Sequence, residues 1–209
     1  MSIASANCIG GLQVRLCILY RWYMAYDWLD LQIRAHEEFG RRLLAVTDWH
    51  AETPDTEWDV SDLARHVIRE QQWVPLLLAG KSIEEVGDDI DAIDDDDLLG
   101  EWQRWSRVAT IAWESAPFDL TVQLSYDTVE MIDYLKEQTA DVTIHAWDMA
   151  RATHSDEQLD EELVAATWTI FEPQRDTLAA TGLYEDPVAL DPDAPLEWRL
   201  LAITGRDPR

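Results

Sequence analysis

Helical periodicity is the feature that most restricts what this chain can fold into. Across residues 27–47 the side chains Trp28, Leu29, Ile33, Phe39, Leu43, Leu44 and Val46 recur close to every 3.6 positions. Arg34, Glu37, Glu38, Arg41 and Arg42 fall mostly between them. This pattern predicts a first helix with one buried face. A second helix starts behind Asp59, which can cap it, with Asp62 at the third helical position. It continues through Leu63, His66, Val67, Trp73 and Leu77, with Pro75 placed to kink it and Ala79 and Gly80 placed to end it. The third helix is expected over about 95–115, with Leu98, Leu99, Trp102, Trp105, Val108, Ile111 and Ala112 inward and Pro117 closing it.

Residues 118–126 alternate apolar and polar side chains, which suits either a short extended piece or an ordered loop. Asp127 and Glu130 have the spacing of a carboxylate capping box, so the fourth helix is expected over about 128–152. The last long helix is expected over about 157–180, entered through Ser155. Five amphipathic helices with little strand imply an all-α bundle, in which polar sites are built inward from facing helices.

The ends read differently from the middle. Residues 1–23 hold both cysteines, Cys8 and Cys17, and lack the acidic character of the rest. They read as an N-terminal extension upstream of the native start, with the bundle spanning 24–182. Residues 183–209 carry four of the eight prolines and read as a strap across the bundle, with a short helix near Leu196 to Ile203. Residues 84–97 are rich in Asp but lack the alternating ligands, turn glycine and closing Glu of a calcium loop, so they read as a solvated linker.

Charge narrows the partners. With 42 acidic against 16 basic residues the net charge is −26, which repels nucleic acid and anionic lipid alike. Only Lys81 and Lys136 are lysines, so the acidity fits either adaptation to high salt or a genome that favours arginine. The cysteines exclude a disulfide framework and a Cys-based zinc site beyond the first twenty residues, and they suit a reducing cytosol. Arg15 and Arg21 interrupt the apolar stretch 8–26, and no basic region precedes it. Neither a membrane span nor a signal peptide is expected, and the chain reads as cytoplasmic.

The chemistry is concentrated on the fourth helix. Asp141 and His145 are four apart and share one face, which Asp148 extends by a further turn. His66 lies between Leu63 and Val67, on or beside the inward stripe of the second helix. Buried carboxylate and imidazole groups need partners, and a shared divalent ion satisfies both. Two His and one Asp leave coordination positions for water or substrate, as catalytic rather than closed structural sites do. Asp148 is expected to orient a ligand or act as a base. His36, beside Glu37 and Glu38, reads as a surface or boundary residue, as do His50 and His154 near element ends. The chain has no glycine-rich phosphate loop and no Gly-x-Ser-x-Gly elbow.

Two segments carry a resemblance. WDVSDLARHV over 58–67 resembles the Trp-x-Val-x-Asp-Leu-x-x-His-Val signature of a large bacterial family, and ADVTIHAWDMARAT over 140–153 resembles its second signature. The tail segments FEPQ (171–174), ATGLY (180–184), Pro187 with Val188, and LLAITGRDP (200–208) are similar to its C-terminal pattern. The family is the DinB-like metalloprotein group that includes mycothiol-dependent maleylpyruvate isomerase, and the tail resembles an uncharacterised actinobacterial branch. The resemblance covers about residues 25–208. It implies a DinB-like four-helix bundle with an additional C-terminal helix and an extended tail. It also implies metal ligands at His66, Asp141 and His145, and a low-molecular-weight thiol as co-substrate. In the isomerase the carboxylate ligand is Glu; Asp141 is one methylene shorter, so the ion or the helix must shift.

Two functions follow from these readings. One is an enzyme in which a divalent ion, Zn²⁺ by preference, activates a thiol that attacks a small electrophile. The result would be S-transfer or thiol-dependent isomerisation. The other is a non-catalytic metal-binding or interaction protein whose ion is structural or sensing.

Overall fold

The computed structural model describes residues 26–55, 57–87 and 90–209. The 1–23 extension, with Cys8 and Cys17, lies outside the described residues. Helix α1 spans Trp28–Leu43 and is capped by Asp27, whose carboxylate accepts from the Asp30 amide; Arg41 and Arg42 fill its last turn. Helix α2 spans Val60–Leu78 behind a reciprocal capping box in which Asp59 and Asp62 each accept from the other's backbone N–H. It runs on through Pro75 and stops at Ala79 and Gly80, where Gly80 takes φ +90°. A short helix α3, Ile83–Val86, begins behind Ser82 and buries Val86. Helix α4 spans Leu98–Ser115, with Asp97 accepting from the Gly100 amide.

Helix α5, Met131–Ala152, is the longest of the described residues and the most buried. Helix α6 spans Glu161–Phe171 and α7 spans Leu196–Ile203, with 3₁₀ turns at Glu172–Gln174 and Ala179–Thr181 between them. Helix α1 packs against α5 and α4, and α2 packs against the same two, which closes a four-helix bundle. Helix α6 covers α5 and α1, and α7 covers α6. The architecture is therefore the all-α four-helix bundle with an additional C-terminal helix expected from the sequence.

The core explains the order of the helices. Phe39, Leu43, Leu63, Ile68, Leu77, Trp113, Leu135, Ile144, Met149 and Leu163 are all fully enclosed. Trp102 packs edge-on against His36 and tilted against Phe39, with ring centroids 5.0 and 4.7 Å apart. Gly40 permits this approach, since a Cβ there would sit 2.8 Å from the Trp102 indole nitrogen. Arg42 is enclosed as well. Its guanidinium donates to the Gln158 carbonyl at 2.9 Å and pairs with Glu38, tying α1 to the segment before α6.

Several helix boundaries differ from the sequence expectation: α1 ends at Leu43 rather than near 47, α4 starts at Leu98 rather than about 95, and α5 and α6 depart as follows, while residues 118–126 take the extended form, one of their two expected readings. Residues 118–126 resolve into strand β1, Thr121–Gln123, which pairs antiparallel with β2, Thr128–Glu130, in the register Val122 to Val129. The hairpin holds residues 128–130 extended, so α5 begins only at Met131. The Asp127 carboxylate accepts from the Thr128 amide instead of closing a capping box with Glu130. The expected 157–180 helix is shorter at both ends. Asp160, not Ser155, caps α6, accepting from the amides of Glu162 and Leu163. At the far end Pro173 lacks the N–H that would continue the ladder, and the chain passes into 3₁₀ turns.

Candidate metal centre

Helices α2 and α5 place the polar cluster. His66 faces α5 at the level of Asp141 and His145, and Glu70, one turn further along α2, meets Gln138, one turn earlier on α5. The two helices therefore run antiparallel past one another. His145 Nε2 lies 3.4 Å from Asp141 Oδ1, and His66 Nε2 lies 3.9 Å from Asp141 Oδ2. One ligand atom from each of His66, Asp141 and His145 lies within 4.8 Å of the others. The two imidazole rings meet edge to face at 5.1 Å, and the Trp58 ring covers His66 at 4.7 Å.

The other side of His145 is fixed by Asp148. Its Oδ2 accepts from His145 Nδ1 at 3.1 Å, which sets the tautomer and leaves Nε2 facing Asp141. Asp148 is itself enclosed and gripped by Arg206 from the C-terminal segment, at 3.0 Å through Nε and 2.7 Å through Nη2.

The charges follow from these contacts. Burial pushes the Asp148 carboxyl up, but the Arg206 guanidinium and His145 outweigh it and hold it at about 2. Burial opposes protonation of His145, yet Asp141 and then Asp148 raise it to about 9. For Asp141 burial again acts upward, and the charge and hydrogen bond of His145, followed by His66, bring it below the usual range. His66 is lowered, chiefly by burial, with Asp141 acting against that.

The residues fit a divalent cation. Asp141 Oδ2 is a buried acceptor with no hydrogen-bond partner among the described residues, and His66 Nε2 facing it is beyond hydrogen-bond reach. A cation between these atoms would satisfy the orphaned oxygen, and an N, N, O set of this kind suits zinc. The His66 and Asp141 side chains keep 30 % and 28 % exposure, so the cluster is open on one side.

Other polar residues are placed as follows. His50 is exposed and pairs with Asp59, and His154 sits just past the end of α5 with φ +53°, so both are boundary residues as expected. His36 is not at the surface. It is enclosed between α1, α2 and α4, where its Nε2–H donates to Gln71 Oε1 at 3.0 Å and Nδ1 accepts from Gln32 at 2.9 Å. Burial lowers its pKa to about 4, so it is neutral. Glu70 did not stand out in the sequence. Its Oε2 accepts from Gln138 Nε2 at 2.9 Å, and burial followed by the charge of Asp141 pushes its carboxyl up to about 7. Its signal was only the four-residue step from His66.

The fold and the cluster define a helical bundle of the DinB-like class with a candidate His/Asp/His metal site. The model of the mycothiol maleylpyruvate isomerase N-terminal domain family matches residues 33–150, and the chain belongs to that family. No curated protein and no solved structure matches the chain. Among the described residues no helix is long and apolar enough to cross a membrane.

Proposed function

We propose that this chain is a divalent-metal protein whose ion is held by His66, Asp141 and His145, and that it is a metal-dependent thiol S-transferase or thiol-dependent isomerase acting on a small electrophile. The observation that carries this reading is the convergence of two imidazole nitrogens on Asp141, whose buried Oδ2 has no hydrogen-bond partner among the described residues. Zn²⁺ is the ion we assign on the donor set. When bound, it would supply Lewis-acid stabilisation of an anionic sulfur or oxygen.

The residues around it have separable tasks. Asp148 holds the His145 ring with Nε2 forward, and Arg206 holds Asp148. Trp58 walls the cluster beside His66 and limits water there. The open side at His66 and Asp141 gives a small molecule access, which favours the enzyme over a closed structural site. The thiol is proposed from the family, whose description names mycothiol. We place the protein in the cytoplasm, with no nucleic-acid or membrane partner. We divide it into the bundle of 24–182, the tail of 183–209 and the extension of 1–23.

The test is metal analysis of the purified chain, followed by a thiol-transfer screen on zinc-loaded protein with His145→Ala as control. Stoichiometric metal with activity lost in the variant supports the enzyme. Metal without transfer to any electrophile supports the non-catalytic reading. No metal in the wild type overturns both.

A further inference from the structure

Beside the candidate ligands lies a carboxyl group that the reading above does not use. Glu70 is one turn along α2 from His66, about 6 Å by helix rise. Among the described residues it makes no ion pair, and its side-chain hydrogen bond there comes from Gln138, three residues before Asp141 on α5.

That hydrogen bond is the end of a longer chain. Gln32 donates to His36 Nδ1, His36 Nε2–H donates to Gln71, and Gln71 donates to Gln138 at 3.4 Å. Gln138 then donates to Glu70 at 2.9 Å. Gln32, His36, Gln71 and Gln138 are all buried, on α1, α2 and α5, so the amide of Gln138 is fixed with its NH₂ toward Glu70. Each donor in the series points toward the carboxyl, and the series ends on an oxygen beside the cluster. Tyr134, one turn before Gln138, adds a buried hydroxyl with no hydrogen-bond partner among the described residues. Burial and then the charge of Glu70 keep that hydroxyl protonated.

We propose that Glu70 is the proton acceptor for the thiol bound at the His66, Asp141 and His145 cluster, a role that rests on the function proposed above. The S–H bond breaks heterolytically. The electron pair stays on sulfur as the thiolate held in the cluster, and the proton passes to a Glu70 carboxylate oxygen, giving the neutral acid. No oxidant or reductant is involved. Glu70 and His66 are four apart on α2 and share one face, which sets the carboxyl on the side of the cluster where the thiol would lie, directly or through one water. Gln138 holds one Glu70 oxygen, leaving the other to take the proton. The shift of Glu70 toward neutrality by burial and Asp141 is in the direction such a role requires.

The experiment uses the full chain loaded with cobalt(II) and titrated with 2-mercaptoethanol. Calorimetry in two buffers of different ionisation enthalpy at neutral pH counts the protons released, and the sulfur-to-cobalt absorption reports thiolate. In the wild type Glu70 retains the proton, so release per thiol falls well short of one. In Glu70→Gln, of nearly the same shape, release should rise to about one proton per thiol. Glu70→Asp should fall between them. Glu70→Asp also serves if Glu70→Gln fails to fold. Equal proton counts in wild type and variants that load cobalt and bind thiol overturn the Glu70 assignment alone. Failure of the wild type to load cobalt overturns the metal reading, and cobalt without thiolate absorption overturns the thiol reading; Glu70 falls with either.

Discussion

Arg206 grips Asp148 across 58 residues of sequence, with Nε on one carboxylate oxygen at 3.0 Å and Nη2 on the other at 2.7 Å. Nη1 donates to the Thr204 carbonyl at 2.8 Å, so the guanidinium is satisfied on both flanks. The C-terminal segment thereby reaches the cluster through one pair: Arg206 holds Asp148, and Asp148 holds His145. Removing Arg206 leaves a carboxylate of 1 % side-chain exposure with the His145 imidazole but without its two-point guanidinium partner. Arg206→Ala should lower stability in denaturant by about 3–5 kcal/mol. Arg206→Lys should recover only part, because an ammonium cannot make the two-point fork. A loss within error of zero for the alanine variant would mean that Asp148 finds another partner or takes up a proton.

Asp148→Asn tests the next link. The amide keeps the shape but offers either NH₂ or a weak acceptor to His145 Nδ1, so the tautomer is no longer fixed. Zinc affinity, read by competition with a chromophoric chelator, should fall roughly 10–100-fold while the bundle remains folded. A loss as complete as that of Asp141→Ala would make Asp148 a direct ligand.

Metal bound only by the native state adds stability by mass action, about 2.7 kcal/mol at a hundredfold excess over Kd. Chelation of the wild type should therefore lower the melting temperature. His145→Ala, which removes one of the three converging ligand atoms, should melt at the same temperature with and without chelator. A wild-type curve unmoved by chelator would count against an occupied site.

The parts of this structure that were legible in the sequence are those governed by local rules. The Asp59 and Asp62 cap, the stop at Gly80 and the shared face of Asp141, His145 and Asp148 depend on spacing within one helix. Pairing of Arg206 with Asp148 depends on where the tail crosses α5, and spacing carries nothing about that. The start of α5 is not legible because Thr128–Glu130 is claimed by a partner strand, which outweighs a capping pattern of correct spacing. The burial of His36 is masked by Glu37 and Glu38 after it, although a helix turns 100° per residue and neighbours in sequence face different ways. Glu70 carries no signal of its own, because one acid on a charged helix has no motif. Only the helix crossing brings it opposite Gln138.

The burial of His36 gives the protein an acid-sensitive element. In the unfolded chain its imidazole takes up a proton near pH 6.5, whereas in the folded chain it does so only near 4. The unfolded state therefore binds more protons between these values, and stability falls as the pH drops from 6.5 toward 4. The full effect is roughly 3 kcal/mol, from about 1.4 kcal/mol per unit of difference. Glu70 acts in the opposite sense over part of the same range, since its folded value is raised. The clean measurement is therefore the difference between wild type and His36→Asn, by urea unfolding at several pH values. That difference should shrink as the pH is lowered through this window. Parallel pH profiles would mean that His36 is not the titrating group.

Gly205 ties the tail to the cluster through backbone geometry. It takes φ +83°, a region that side chains rarely occupy, and it lies between Thr204 and the Arg206 that grips Asp148. A Cβ at this position would stand 2.6 Å from the Glu185 Cβ and 3.0 Å from the Glu185 backbone, so the far end of a flexible side chain cannot give way for it. Gly205→Ala therefore meets both a disfavoured φ and a steric clash, and together these should cost about 1–3 kcal/mol. Relief of the clash requires the segment to move away from Glu185, which drags Arg206 off Asp148. The variant should accordingly lose zinc affinity as well as stability, in the same direction as Asp148→Asn. Gly80→Ala supplies the control, because Gly80 also has positive φ but nothing lies within 4 Å of its added Cβ. It should cost stability without weakening zinc binding. Equal zinc affinity for Gly205→Ala and the wild type, measured by chelator competition, would show that the position of Arg206 does not depend on Gly205.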